Sequence, residues 1–314
     1  MITIQHNGEV YIPDIVDEIE WTTERTGSPG ELTFNMMNEC PVEEGDLVQF
    51  IDDNEWKVFK GYVFSYTKKS EGTTEVTCYD LLRYFKNSDS MVYENLTVTT
   101  LVARICKDFG FPKYTLADTK YVIKSRVEED KTMFDIIYNA MDLTLVETGK
   151  MYVLYDNFGT ITMHELKDVQ MSLCVDNDSM ESYEYSSSID DETYNYIKVV
   201  NDDKDKGVRE VFIASDKENM EKWGTLMKVE KLSDGENGKV KAEGMLALYN
   251  CPTKKLKLNG VIGDSRIRAG FMIYVNIPEL NLKNMMLIEK CSHTYASGSH
   301  TMDLTLRGGD IHDT

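Results

Sequence analysis

Residues 44–52, EGDLVQFID, return 225 positions later as AGFMIYVNI, with Gly45 matching Gly270, Val48 matching Ile273 and Phe50 matching Val275. In the same order KVFKGYVFSY resembles MLIEKCSHTY at an offset of 229, pairing Val58 with Leu287, Phe64 with His293 and Tyr66 with Tyr295. Beyond a hairpin loop, EVTC resembles DLTL at an offset of 228. Drift of a few residues falls in loops, where insertions cost little. A chain that repeats a glycine-led strand and the hairpin after it is constrained to build one topology twice. Chance recurrence in a β-rich chain is the alternative, and strand order separates the two: duplication requires the same order in residues 1–90 and in about 250–308.

The first ninety residues carry the two-residue period of half-buried antiparallel strands. In ELTFNMM, Leu32, Phe34 and Met36 share one face and Glu31, Thr33 and Asn35 the other. DLVQFID and WKVFKGYVFSYT flank a turn at Asp53-Asn54, and alternation puts Trp56, Val58, Tyr62, Phe64 and Tyr66 on one face. VTCYD then runs into LLRYF, where Asp80 stands as a helix N-cap and Leu81, Leu82, Tyr84 and Phe85 supply the apolar stripe. Short strands with frequent turns predict a barrel or sandwich, with this helix as a plug over one end.

From about residue 91 the period changes to that of helices. Val98, Leu101, Val102, Ile105 and Phe109 follow a helical face capped by Thr97 and stopped at Gly110. A second helix opens at Thr132 with Asp135 in capping-box spacing, and a hairpin turns at Asn157-Phe158-Gly159. This α+β unit is expected to end near residue 175, before a polar, acidic linker, DNDSMESYEYSSSIDDE. YNYIKVVN, REVFIA, a short helix capped by Ser215 with Glu218 and closed by Gly224, a helix through Ala242, Met245, Leu246 and Tyr249, and more β from 254 complete the chain. The expected fold class is therefore α+β, mainly β: two similar antiparallel β-barrel domains, 1–90 and 176–314, with a small α+β domain, 91–175, between them.

Chemistry is sparse. His164-Glu165-Leu-Lys-Asp168 begins like a zinc-binding helix but ends in Asp and lies on an expected strand. NDDKDKG, 201–207, has its glycine one place late for a calcium loop and Phe212 where the closing Glu belongs, so a hairpin turn is expected. His293 and His300 read as a surface pair without a third ligand. Six scattered cysteines read as reduced and mostly buried, and the Asn95 sequon carries no meaning without export. No catalytic, cofactor-binding or metal residues are assigned, and an enzyme is not expected. The net charge of −20, from 34 basic against 54 acidic residues, argues against nucleic-acid backbones and anionic membranes. MITIQHNGEVYIP alternates like a strand rather than a signal peptide, and no apolar run is long enough to span a bilayer. A soluble, cytosolically made protein is expected.

The order barrel, α+β insert, barrel resembles the central hub proteins of contractile phage tails. The matching stretches are GDLVQFID, VTCYDLLRYF, KTMFDIIYNAMDLTLVETGKMYVLYDNFGTITM, WGTLMKVEKL, AGFMIYV and LIEKCSHTY. They are most similar to XkdQ-like hub proteins of defective prophages and contractile bacteriocins, with late-control-D and VgrG hubs more distant. The resemblance implies a homotrimer whose two barrels per chain form a pseudo-sixfold ring joining the tail tube, or its initiator protein, to a separate spike protein. It also implies contacts with other baseplate proteins, assembly in the host cytoplasm and a final place in the baseplate of a virion or tail-like particle. A lumen lined with acidic groups would repel phosphate rather than hold it. The competing class is a carbohydrate- or receptor-binding module, which the 18 tyrosines keep open.

Overall fold

The computed structural model describes residues 1–190, 192–203, 208–232 and 237–308. The chain opens with strands β1 (Ile2–His6), β2 (Glu9–Tyr11), β3 (Ile15–Glu24), β4 (Glu31–Met37), β5 (Leu47–Ile51), β6 (Lys57–Lys68) and β7 (Thr73–Tyr79). Their inward residues, among them Ile4, Trp21, Leu32, Phe34, Met36, Val48, Phe50 and Val76, form one core. A 3-10 turn, Leu81–Lys86, follows with the expected Asp80 cap, whose carboxylate accepts from the Leu82 N–H. The turn does not plug that core: Leu81, Leu82 and Phe85 are buried in the next one.

That next core is built by β8 (Ser88–Leu96), α1 (Val98–Asp108), β9 (Tyr114–Leu116), β10 (Ile123–Thr132), α2 (Met133–Thr148), β11 (Tyr152–Asp156) and β12 (Ile161–Glu165). Thr97 and Thr132 cap the two helices in reciprocal boxes, the second closing through Asp135 as its spacing predicted. Phe85 sits at the centre of an aromatic group with Phe109, Phe111 and Phe134.

The stretch read as a linker is not one. β13 (Gln170–Val175) and β14 (Ser182–Ser188) belong to the large sheet, and β14 lies inside the polar SYEYSSS run. A smaller unit follows: β15 (Tyr196–Asp203), β16 (Val208–Ser215), α3 (Lys217–Trp223), β17 (Met227–Lys231) and α4 (Gly238–Tyr249). Asp216 rather than Ser215 caps α3, because Ser215 is still hydrogen-bonded as strand opposite Tyr196. The turn of NDDKDKG, at 204–207, lies outside the described residues. The last strands are β18 (Thr253–Ile262), β19 (Met272–Ile277), β20 (Leu282–Ala296) and β21 (Ser299–Gly308).

The strand order settles the repeat. The first segment runs β3-β4-β7-β6-β5-β1, and the second runs β14-β18-β21-β20-β19-β13. Taken in chain order these are the same arrangement, with the β15–α4 unit inserted between the second segment's counterparts of β3 and β4. One difference is that β1 joins β5 antiparallel whereas β13 joins β19 parallel. The glycines correspond in detail. Gly45 at φ 93° donates to Val63 O at 2.8 Å, and Gly270 at φ 89° donates to Ile288 O at 2.8 Å. The N–H groups of Val63 and Ile288 donate back to Asp46 and Phe271. Neither run of strands is closed by pairing of its first and last members among the described residues; what is observed is mainly β, in antiparallel sheets with α+β units.

The middle of the sequence alignment needs correction. Leu47 opposes Tyr62 and Met272 opposes Leu287, so β6 corresponds to β20 at an offset of 225, not 229. Two bulges in β6 hide this. Val58 and Phe64 are extra residues against β5 and β7, and each flips the alternation that follows. Val58 and Phe59 are therefore both buried, Trp56 is 48% exposed, and Tyr62 leans on the α+β core instead of its own sheet. Glu289 is the matching bulge in β20, lying between Ile288 opposite Leu306 and Lys290 opposite Thr305. The 228 offset of EVTC and DLTL is correct as read, since Cys78 and Leu306 face equivalent partners across the bulges.

Candidate functional site

The two sheet segments are welded into one sheet along β3 and the distal half of β20. Their register runs from Lys290 opposite Glu24 to Tyr295 opposite Ile19. β20 is long enough to pair β19 with residues 282–287 and, on the same edge, β3 with residues 290–295. Cross-strand groups match along the seam: Thr22 Oγ1 donates to Ser292 Oγ at 2.9 Å, Lys290 Nζ lies 3.3 Å from Glu24, and Arg25 Nε is 2.7 Å from the Glu289 carboxylate.

His293 and His300 are at this seam, and His293 is not on the surface. It is 0% exposed, with its ring stacked on Trp21 at 4.8 Å, its Nδ1 2.9 Å from His300 Nε2 and its Nε2 2.9 Å from the Ile267 carbonyl. Burial, then the neighbouring His300, hold its pKa down at about 3, so the ring is neutral over the physiological range. The isolated pattern HxxxxxxH gave no sign of this, because the strand that buries it lies some 270 residues earlier in the chain.

Behind the seam, three parts of the molecule meet around Arg268. Its guanidinium stacks over Trp21 at 5.1 Å and Tyr155 at 4.9 Å and donates to the Asp156 carbonyl. The Asp80 carboxylate accepts from Gly30 and Leu82 N–H groups, and the Asp156 carboxylate accepts from Leu81 and Gly159. Burial and the facing Asp156 push Asp80 well above the usual carboxylate range; burial raises Asp156 and lowers Arg268. Asp80 follows β7, Asp156 ends β11 and Arg268 precedes β19, so this buried set ties both sheet segments to the α+β core. Ala269 N–H donating to Thr23 Oγ1 and Tyr138 O–H donating to the Arg25 carbonyl add two more ties.

The other sequence candidates do not converge here. His164 stacks beside Tyr155 on β12, Glu165 bridges Lys150 and Lys167, and Asp168 lies in the next turn. Among the described residues no group of three or more His, Cys, Asp or Glu side chains is placed to hold a metal. None of the six cysteines forms a disulfide; Cys78, Cys106 and Cys291 are buried, but Cys174 is exposed on β13. No described helix is long and apolar enough to cross a membrane. The geometry is that of a joint: complementary strands, a packed interior and exposed edges of the same kind elsewhere.

The protein YqbQ of Bacillus subtilis (strain 168) is 32% identical over 92% of this chain and 91% of its own. The phage-like element PBSX protein XkdQ of the same strain is 30% identical over 84% of this chain and 81% of its own. The crystal structure of a 43 kDa tail protein of prophage MuSo2 from Shewanella oneidensis shares the fold at a TM-score of 0.71 and 14% identity, over 99% of both chains. A tail protein from Neisseria meningitidis MC58 matches at 0.71 and 13%, over 99% of this chain and 97% of that one. The profile of the YQBQ-like family spans residues 19–307, and by that match and its two Bacillus relatives this chain belongs to the YQBQ-like family.

Proposed function

We propose that this chain is a structural hub of a phage-tail baseplate, assembling as a homotrimer in which two barrel-like domains per chain make a pseudo-sixfold ring between tail tube and spike. One observation carries the reading: a single chain contains the same six-strand arrangement twice, joined edge to edge. Three such chains supply six quasi-equivalent units, which a ring between sixfold and threefold parts requires. The relatives support it, since one is named a phage-like element protein and the fold neighbours are phage tail proteins. In this reading residues 1–90 are the first hub domain, β13 (170–175) together with residues 176–314 is the second, which also carries the β15–α4 unit, and 91–169 is the α+β domain between them. The protein is not an enzyme, binds no nucleic acid directly, and meets a separate spike chain, a tube or tube-initiator protein and other baseplate proteins. It is assembled in the host cytoplasm.

A sugar-binding role would use exposed aromatics on a sheet face. Tyr183 and Tyr185 are 37% and 39% exposed but stand on an edge strand whose counterpart in the first segment is covered. The test is molar mass by light scattering across a salt series, with and without the spike. The net charge of −20 triples on trimerisation, so repulsion opposes assembly most at low salt. A monomer or weak equilibrium in dilute buffer is expected, and a trimer at high salt or with the spike; a monomer throughout would rule out the ring.

A further inference from the structure

We propose that the free edge of β14 pairs antiparallel with the distal half of β6 in a second copy of the chain, in the register that β3 makes with β20 inside one chain. This rests on the ring reading above and names the surface that closes it.

The equivalences come from the pairing registers alone. Leu32 opposes Cys78 and Leu256 opposes Leu306, and these two β7 and β21 residues correspond across the bulges. Trp21 opposes Leu32 and Tyr185 opposes Leu256, so Trp21 corresponds to Tyr185. β14 is thus the counterpart of β3, and the distal half of β6 is the counterpart of the β20 segment that covers β3. Among the described residues both counterparts are open. β14 pairs, among the described residues, only with β18, and it is exposed along six of its seven residues. β6 leaves β5 behind after Tyr62, and Ser65, Thr67 and Lys68 are exposed on the edge that remains. Trp21 is 2% exposed where Tyr185 is 39%, and the difference is the missing strand.

The side chains that this register would bring together are complementary. Thr22 and Ser292, joined by a hydroxyl hydrogen bond inside the chain, become Ser186 and Thr67. The stacked pair Trp21 and His293 becomes Tyr185 and Lys68, a cation over an aromatic face. Glu20 opposite Thr294 becomes Glu184 opposite Lys69, opposite charges that within one chain lie beside Lys257 and Glu75. The bulge clasp of Arg25 with Glu289 becomes Ile189 with Phe64, an apolar pair in place of a charged one. An exposed pair of strand edges is a template for such pairing, and a head-to-tail contact of two different edges closes into a ring when its rotation allows.

The test uses cysteines on the directly opposed hydroxyl pair, Thr67→Cys with Ser186→Cys, in a chain also carrying Cys174→Ser and oxidised under the conditions that give the largest assembly. Directly opposed strand residues lie within disulfide reach. The expected result is a ladder on gels run without thiol that ends at the covalent trimer and collapses to the monomer when thiol is added; a mixture of the two single variants should stop at the dimer. Thr22→Cys with Ser292→Cys, which should form its disulfide within one chain, checks that the chemistry works. Thr67→Cys with Glu184→Cys, two residues out of register, should give at least tenfold less cross-link. A trimer by light scattering with no Thr67–Ser186 cross-link, or with equal cross-linking of the displaced pair, overturns this pairing and leaves the ring reading intact. A monomer under every condition overturns both.

Discussion

The two halves of β3 and β20 that meet inside the chain and the two bare edges of β14 and β6 are the same structural positions in different surroundings. Where the strands meet, the residues are those of an interior: Trp21, Cys291 and His293 are at most 2% exposed. Where they do not meet within one chain, Tyr185, Tyr66 and Lys68 stand in their places, amphipathic side chains that tolerate both water and a partner. The backbone device is the same in both, a left-handed glycine hydrogen-bonded to the residue just before a bulge, so topology is held by hydrogen bonds while side chains follow the cover each edge receives.

The widest contrast should be between Trp21→Ala and Tyr185→Ala in the unassembled chain. The first empties a buried site that also carries the Arg268 and His293 stacks and should cost about 3–5 kcal/mol, while the second should stay within about 0.5 kcal/mol. Urea midpoints measure both, and equal losses would mean that β14 is already covered. Next come the paired glycines. Gly45→Ala meets open space and should cost about 1–2 kcal/mol of left-handed strain; Gly270→Ala should cost more, because its Cβ would lie 3.3 Å from that of Val153. If the two cost the same, the α+β core does not press on the second segment.

A pH series sharpens the comparison further. The folded pKa of His293 is about 3 against 6.5 when free, so as pH falls below 6.5 the unfolded chain takes up the proton first and stability drops. The loss should approach about 1.4 kcal/mol per pH unit and end near the folded value. His293→Gln should remove that limb, whereas changing Lys68, its counterpart on the open edge, should leave the slope unchanged. The smallest effect is expected at the rim: Glu24→Gln, which breaks a half-exposed pair with Lys290, should cost less than about 1 kcal/mol and less still in high salt.

Much of this was legible locally. Period-two runs gave β4 to β7 and β19 to β21, threonine caps gave α1 and α2, and the glycine-led repeat located the corresponding strands. Three readings failed, each for its own physical reason. SYEYSSS looked like a linker because an edge strand with water on most sides carries no apolar alternation. Phe64 was matched to His293 instead of Glu289 because a bulge inserts a residue without changing the sequence pattern around it. His293 was placed on the surface because its burial depends on Trp21, a residue of the other segment.

The sequence by itself determined most of the inward-facing strands, the helices, the caps of α1 and α2, and that one topology occurs twice; these depend on neighbours a few residues apart, through alternation, capping and the left-handed freedom of glycine. Only the tertiary structure decided which strand edges are covered. That choice rests on pairing between residues hundreds of positions apart, and no local pattern distinguishes an edge that finds its partner within the chain from one that is left open.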